Sequence, residues 1–130
     1  QKVRGTHRGK IKRGNLQKRF GPLLDVENAD RKCFITDDPI PQGEVSIDHV
    51  IPWSYLYSDD LWNLVYVNTS ANSSKNDRIP NKVLITKLET RNKTLLEKMK
   101  QAETPGKHIE ELDLAIEKDY VQKFWIGCKG

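Results

Sequence analysis

Two short apolar runs with strand-like alternation constrain the fold of this chain more than any other feature. The first is VSIDHVI, which closes a β-like stretch at 33–50 that is rich in turn-forming residues. The second is WNLVYVN at 62–68, and a loop at 51–62 separates the two. Apolar and polar side chains that alternate with a period of two are typical of half-buried strands. The order strand, loop, strand continues into a predicted short helix at 69–79, which ends at Pro80.

Helical spacing of apolar residues dominates the flanks. One predicted helix has an apolar face formed by Leu84, Leu88, Leu95 and Met99, and the helix ends at Thr104-Pro105-Gly106. A second, continuous helix is predicted from the stripe Ile109, Leu112, Ile116, Tyr120 and Phe124. The stretch from Leu16 to about Lys32 allows one or two short helices, broken near Gly21-Pro22. We assign the apolar stripes to core packing, and the fold class is therefore α+β.

The positive charge is concentrated at the N-terminus. Residues 1–24 contain eight Lys or Arg and no acid, whereas residues 25–130 contain fourteen Lys or Arg against eighteen acids. We therefore divide the chain into a basic arm or linker at 1–24 and one folded domain at 25–130. An arm of this kind suits a polyanion such as nucleic acid, through Arg8, Lys10, Lys12 and Arg13. A solvated tail, or a linker to another domain, explains the charge equally well.

Compartment and context follow from a few further features. Cys33 and Cys128 lie far apart, and a secreted disulfide-bonded domain usually has more cysteines, so we predict two reduced thiols and a cytoplasmic protein. No apolar run is long enough for a signal peptide or a membrane span. Because the first residue is Gln, we expect the chain to be a piece of a longer protein.

Four polar residues in the central segment have the chemistry for phosphodiester hydrolysis. Asp48 and His49 lie near the end of the first strand, Asn63 opens the second, and Asn72 lies in the short helix. Imidazole is a suitable base for water at neutral pH, and carboxylate and amide oxygens suit a hard divalent cation. Adjacent strand residues point to opposite sides, so Asp48 and His49 are expected to act on different sides of one phosphate.

These residues resemble the HNH, or ββα-metal, nucleases. The resemblance rests on DHVIP at 48–52, Asn63-Leu64-Val65, Asn72 and Lys75, and it covers about residues 31–80. The spacings from His49 to the two asparagines are similar to those of the HNH domain of RNA-guided CRISPR effectors. The resemblance implies a core at about 33–80, formed by a short antiparallel hairpin plus a helix, with additional helices at about 81–127.

The resemblance also implies a role for each residue. Asp48 and Asn72 would bind Mg²⁺ or Mn²⁺, His49 would be the general base, and Asn63 would fix the loop and the histidine ring. Lys75, one turn after Asn72, and Arg78 are expected to contact phosphates, although both are equally consistent with plain surface charges. The expected substrate is DNA.

Many HNH domains also contain a structural zinc bound by two CxxC pairs. Here the first pair would fall at Cys33 and Thr36 and the second at Asn68 and Ala71, so only Cys33 is a cysteine. A closed zinc site needs four ligands, and we therefore expect no structural zinc. Cys33 is instead expected to be a buried packing residue.

The sequence leaves other functions open. A non-catalytic nucleic-acid-binding module and a toxin-type nuclease acting on RNA are the alternatives. The setting implied by the resemblance is a larger restriction, anti-phage or CRISPR effector protein in which other domains or subunits supply targeting. We interpret Asp59-Asp60 as an acidic loop tip. Trp53, Tyr55 and Tyr57 are expected to pack over the core, with stacking on bases as the second reading.

Overall fold

The computed structural model describes residues 16–70 and 79–129. In this part of the chain the architecture is mixed α+β, with a two-stranded antiparallel sheet and helices on both sides of it in sequence. The α+β prediction is therefore confirmed. None of the described helices has both the length and the apolar character that a membrane crossing requires.

Helix α1 occupies residues 16–27 and runs through Gly21-Pro22 without the predicted break. Its buried face contains four apolar side chains, Leu16, Phe20, Leu23 and Leu24. Pro22 is exposed, so water can hydrate the carbonyl that the missing N–H leaves without a partner. Packing of the apolar face thus outweighs the local cost of proline. Residues 16–24, the last part of the predicted basic arm, belong to this packed helix. The other predicted arm contacts, Arg8, Lys10, Lys12 and Arg13, lie outside the described residues.

The stretch predicted as β structure at 33–50 contains only one strand, β1 (Val45–His49). Its first part is a turn closed by hydrogen bonds from Cys33 N to Asp38 O and from Asp37 N to Cys33 O, next to an isolated bridge between Lys32 and Pro39. Asp37 adopts a positive φ of 66°, which reverses the chain before an extended strand can form. The predicted β structure is therefore limited to β1 and the isolated bridge, and the turn-forming residues before β1 form a turn.

Strand β2 (Leu64–Asn68) pairs with β1 in the register Val45↔Asn68 to His49↔Leu64. The connection contains the short helix α2 (Trp53–Leu56) and a 3₁₀ turn at Leu61–Asn63. Asn63 therefore ends the 3₁₀ turn, and β2 begins one residue later. The prediction that Asn63 opens the strand was wrong by this one residue. Residues 69 and 70 are helical, and the rest of the predicted helix at 69–79 lies almost entirely outside the described residues.

Three helices follow, α3 (Lys82–Gln101), α4 (Gly106–Glu117) and α5 (Tyr120–Cys128). Asn81 caps α3, where its side-chain oxygen accepts a hydrogen bond from Leu84 N. The predicted continuous helix over 109–124 was wrong, because Asp119 has a φ of 58° and separates α4 from α5. Of the predicted stripe, Leu112 is buried, Ile109, Ile116 and Tyr120 are partly buried, and Phe124 is 41% exposed. The core side of the two helices is completed by Ala115, Val121 and Trp125.

Tyr66 ties α1 to the sheet. Its buried hydroxyl donates to Asp25 Oδ1 at 2.8 Å and approaches the Gly21 carbonyl at 3.1 Å. A Cβ at Gly21 would lie at an ordinary contact distance of 3.5 Å from this hydroxyl but only 2.5 Å from Gln17 Nε2, so a larger residue at 21 would have to displace the Gln17 side chain. Burial, followed by the hydrogen bond to Asp25, raises the pKa of Tyr66 to about 12.

The raised pKa of Tyr66 predicts an alkaline loss of stability. A pKa raised in the folded state contributes stability below the unfolded value near 10, and this contribution disappears as the pH rises through about 12. We expect Tyr66→Phe to remove this part of the pH dependence, at a cost of about 1 kcal/mol at neutral pH for the lost hydrogen bond. Chemical denaturation between about pH 8 and 12 measures both effects. The exposed Tyr57 provides the control Tyr57→Phe, and equal pH profiles for wild type and Tyr66→Phe would contradict the prediction.

Candidate active site

Asp48 and His49 are the last two residues of β1, opposite Val65 and Leu64 of β2. Consecutive strand residues project to opposite faces of the sheet, so the carboxylate and the imidazole lie on different sides of the strand end. One carboxylate oxygen of Asp48 is buried, and the His49 side chain is 14% exposed. The end of β1 thus holds a hard oxygen donor and a potential proton acceptor in adjacent positions.

The imidazole of His49 is held by a second carboxylate. His49 Nε2 lies 2.8 Å from Asp59 Oδ1, and only 4% of the Asp59 side chain is exposed. The interpretation of Asp59-Asp60 as an acidic loop tip was therefore wrong for Asp59. The loop after β1 folds back and buries this residue against the histidine. The sequence offered only an acidic residue ten positions after His49, which is a common occurrence.

Asn63 fixes the chain that leaves β1. Its fully buried side chain accepts from Ile51 N at 2.8 Å and donates to Ile51 O at 2.9 Å, while Val50 N donates to Asn63 O. These three bonds join the start of β2 to the two residues that follow His49. This geometry agrees with the predicted loop-fixing part of the Asn63 role, and its part in catalysis stays a prediction. The ring of His49 itself is held by Asp59.

Two residues of α3 hold the backbone on both sides of Asn63. Buried Arg91 donates to Leu64 O at 2.7 Å and to Leu61 O at 3.1 Å, and Asn92 donates to Trp62 O at 2.9 Å. Arg91 also donates through Nε and Nη2 to Asn92 Oδ1, so the two side chains act as one unit. Together they satisfy backbone carbonyls on both sides of Asn63. Neither residue was predicted to belong to the site. Their only signal in the sequence is that two polar residues occupy the apolar face of a helix.

Burial lowers the pKa of Arg91 to about 10, and the charge of Glu27 opposes this shift. The guanidinium therefore remains a cation at neutral pH. Its charge is spread over hydrogen bonds to carbonyl oxygens, which is the arrangement that makes a buried charge tolerable. The segment that contains Asn63 is thus fixed by a charged group from the helical part of the chain.

A cleft of about 510 Å³ is bordered by Asp59 and does not include His49 in its lining. The lining carries charges of both signs, from Arg19, Lys107 and His108 and from Asp59, Asp60 and Glu111. Trp62 stacks on Phe124, with ring centroids 5.6 Å apart. In α2 and just after it, Tyr55 and Tyr57 are 48% and 69% exposed, so the expectation that these two pack over the core was wrong. Trp53 contacts the Tyr57 ring edge-on.

The remaining predicted site residues are Asn72, Lys75 and Arg78, and all three lie outside the described residues. Within residues 16–70 and 79–129, no group of three or more His, Cys, Asp or Glu side chains is arranged to hold a metal. A magnesium ion in proteins commonly takes one or two protein oxygens and completes its shell with water and phosphate. The partly buried carboxylate of Asp48 fits this kind of site.

Cys33 is 1% exposed and is a free thiol, as is Cys128. The expectation of a buried Cys33 is confirmed. Asn68 N donates to Cys33 Sγ at 3.4 Å, so the positions that begin the two CxxC pairs of zinc-containing relatives lie side by side. Burial alone would raise the pKa of Cys33, but hydrogen bonds from Asn68 and Thr36 lower it overall. The thiol thus sits in a small pocket of N–H donors.

Comparison with known proteins agrees with this geometry. Residues 33–81 match the family model described as HNH endonuclease. The matched segment begins at the buried Cys33, contains both strands, and ends at Asn81, the N-cap of α3. A comparison with curated proteins found no match. The match supports the predicted resemblance to HNH endonucleases over residues 33–81 and indicates nuclease activity, which in this family depends on a metal.

Proposed function

We propose that this protein is an endonuclease that hydrolyses phosphodiester bonds of DNA, with His49 as the general base and with Asp48 and Asn72 as ligands of Mg²⁺ or Mn²⁺. The proposal rests on the arrangement of side chains at the end of β1. There the carboxylate of Asp48 and a histidine clamped by Asp59 occupy adjacent positions inside the HNH-matched segment. The pairing fits a reaction that needs a base on one side of a phosphate and a cation on the other.

Each side chain has a distinct task in this reaction. His49 accepts a proton from the attacking water, and Asn63 keeps the backbone after His49 in place through its bonds to Ile51. Asp48, with Asn72, holds the divalent cation. When bound, that cation neutralises charge that develops on the leaving oxygen. The chain itself therefore supplies the base, its orientation and one hard oxygen ligand.

Nucleic acid is the substrate that the surroundings favour. The exposed rings of Tyr55 and Tyr57 can stack on bases, because every base offers an aromatic face. Arg19 and Lys107 lie in the lining of the cleft that Asp59 borders, where they can contact phosphates, and they share that lining with the acidic residues Asp60 and Glu111. We extend the phosphate contacts to Lys75 and Arg78, and to the basic arm through Arg8, Lys10, Lys12 and Arg13. Contacts of this kind are strongly salt-dependent and largely independent of base sequence.

We further propose that the protein is cytoplasmic and that its nuclease segment serves a larger restriction, anti-phage or CRISPR effector system. In this proposal His49, Asp48 and Asn72 supply the hydrolytic chemistry, and targeting comes from other domains or subunits. Cleavage by the chain alone would then have little sequence preference.

The deciding experiment is nicking of supercoiled plasmid DNA with Mg²⁺ or Mn²⁺, with and without EDTA. We expect cleavage to need the metal and to fall by at least about 100-fold in Asp48→Ala, because loss of a ligand removes the charge that stabilises the leaving oxygen. Asp113→Ala, which replaces an exposed carboxylate on α4, is the matched control and should cut like wild type.

Three outcomes would contradict the proposal in different ways. Cleavage that persists in EDTA, or in Asp48→Ala, would exclude the assigned metal chemistry. Salt-sensitive DNA binding with no cleavage in any metal would favour a non-catalytic binding module. Cleavage of RNA but not of DNA would show that the proposed substrate is wrong. The assigned site residues would still stand, since the mechanism does not depend on a 2′-hydroxyl.

A further inference from the structure

Asp59 contacts the proposed general base, His49, but it was not predicted from the sequence and has no role in the reaction proposed above. Its carboxylate is almost fully buried, and burial of a carboxylate is unfavourable unless hydrogen-bond donors replace the lost water. The 2.8 Å contact with His49 Nε2 supplies such a donor. The contact thus joins a nearly buried carboxylate to a largely buried imidazole, unlike an ion pair between two solvent-exposed side chains.

Hydrogen bonds at both ends of the loop hold Asp59 close to His49. At its start, Val50 and Ile51 are bonded to Asn63. At its end, Asn63 N donates to Asp60 O, and the Asp60 carboxylate accepts from Ser58 Oγ at 2.6 Å. Both ends of the loop are thus fixed by bonds that do not involve the histidine ring. Asp59 lies between two restrained residues, which favours a single position for its carboxylate.

This contact determines which ring nitrogen carries the proton. A neutral imidazole has one donor and one acceptor nitrogen, and a carboxylate can only accept. The hydrogen on Nε2 therefore points to Asp59, and Nδ1 is the nitrogen that holds the basic lone pair. The bond made by one ring nitrogen in this way sets both the tautomer and the orientation of the other.

We infer that Asp59 is a positioning residue for the hydrolysis, which fixes the ring of His49 with Nε2–H toward itself so that Nδ1 is the nitrogen that accepts the proton from water. The inference rests on the proposed general-base role of His49. It adds a residue that acts through another side chain and does not touch the substrate. The loop at 51–62 is then a catalytic support that presents a carboxylate to the ring.

The first test compares Asp59→Asn with Asp60→Asn in plasmid nicking. Asparagine keeps the shape of Asp59 but presents one donor and one weaker acceptor to the ring, so both tautomers become possible. We expect kcat to fall about 10- to 100-fold, as for other partners that orient a functional histidine, with KM changed less than about twofold. Asp60→Asn removes the neighbouring negative charge but keeps a side-chain oxygen that can accept from Ser58 Oγ, so the loop restraint is preserved and the variant should keep the wild-type kcat.

The second test reads the ring directly and needs no cleavage. Long-range ¹H–¹⁵N spectra of the histidine rings report which ring nitrogen carries the proton, and a pH series of the same spectra identifies where each ring carries one proton. The chain has three histidines, so a His49→Gln spectrum assigns the signal of interest. We expect one tautomer with Nε2–H in wild type and in Asp60→Asn. In Asp59→Asn we expect a mixture or the opposite tautomer.

The outcomes separate this inference from the proposed function. A proton on Nδ1 of wild-type His49, or a wild-type kcat in Asp59→Asn, overturns the inference and leaves the nuclease in place. An equal loss of kcat in Asp60→Asn also overturns it, because the effect would then belong to the loop as a whole. If the wild-type chain cuts no nucleic acid, the proposed function fails and the catalytic meaning of Asp59 fails with it. The spectra then still decide whether Asp59 holds the ring.

Discussion

Replacing His49 by alanine is expected to lower the rate of plasmid nicking by about 10²- to 10⁴-fold, the range that general base catalysis usually contributes. The physical reason is that no other described imidazole lies at the end of β1 beside Asp48. Water would then have to lose its proton to solvent. The KM for DNA should change little, because the ring acts on water and makes no large contact with the polymer. Initial rates at saturating plasmid measure the effect.

His108→Ala is the control for His49→Ala. His108 lies on α4, outside the HNH-matched segment, with its ring 3.8 Å from the exposed Glu111. Its removal should leave kcat unchanged. Thermal unfolding of both variants separates a catalytic loss from a folding defect. If His49→Ala nicks DNA as fast as wild type while remaining folded, His49 is not the base.

Replacing Arg91 by alanine is expected to lower the free energy of unfolding by about 3–5 kcal/mol. The guanidinium donates to the carbonyls of Leu61 and Leu64 and to Asn92 Oδ1, and alanine leaves all these acceptors buried without that donor. Each unsatisfied buried acceptor costs about 1–3 kcal/mol. Since a domain of this size is stable by only about 5–15 kcal/mol, the loss is a large fraction of the total. Urea denaturation at neutral pH measures it.

Arg91→Lys and Lys93→Ala complete the experiment. Lysine keeps the positive charge but has a compact head that cannot span carbonyls on two sides of Asn63, so we expect an intermediate loss. Lys93 is exposed on the same helix, and its removal should change stability by less than about 0.5 kcal/mol. Equal stabilities for Arg91→Ala and Lys93→Ala would show that the buried hydrogen bonds contribute nothing net.

Much of the fold followed from local patterns. The alternation in 45–50 and 62–68 located both strands, and the apolar stripes of α3 to α5 located the helical flank, because each repeat reflects the geometry of its own element. The errors came where a local signal competed with packing. Gly21-Pro22 did not break α1, since its buried face is held in the core and Pro22 faces solvent. The stripe at 109–124 did not reveal the reversal at Asp119.

The candidate site shows the same division. The sequence by itself determined the resemblance to HNH endonucleases, which the match over residues 33–81 supports. It also placed Asp48 and His49 next to each other at the end of a strand, where consecutive side chains point to opposite faces. Only the tertiary structure decided what holds these residues. Asp59 returns to His49 across ten residues, and Arg91 reaches Leu61 and Leu64 across about thirty. Such contacts depend on how loops close and which polar groups are buried together, and no local period of the chain records either.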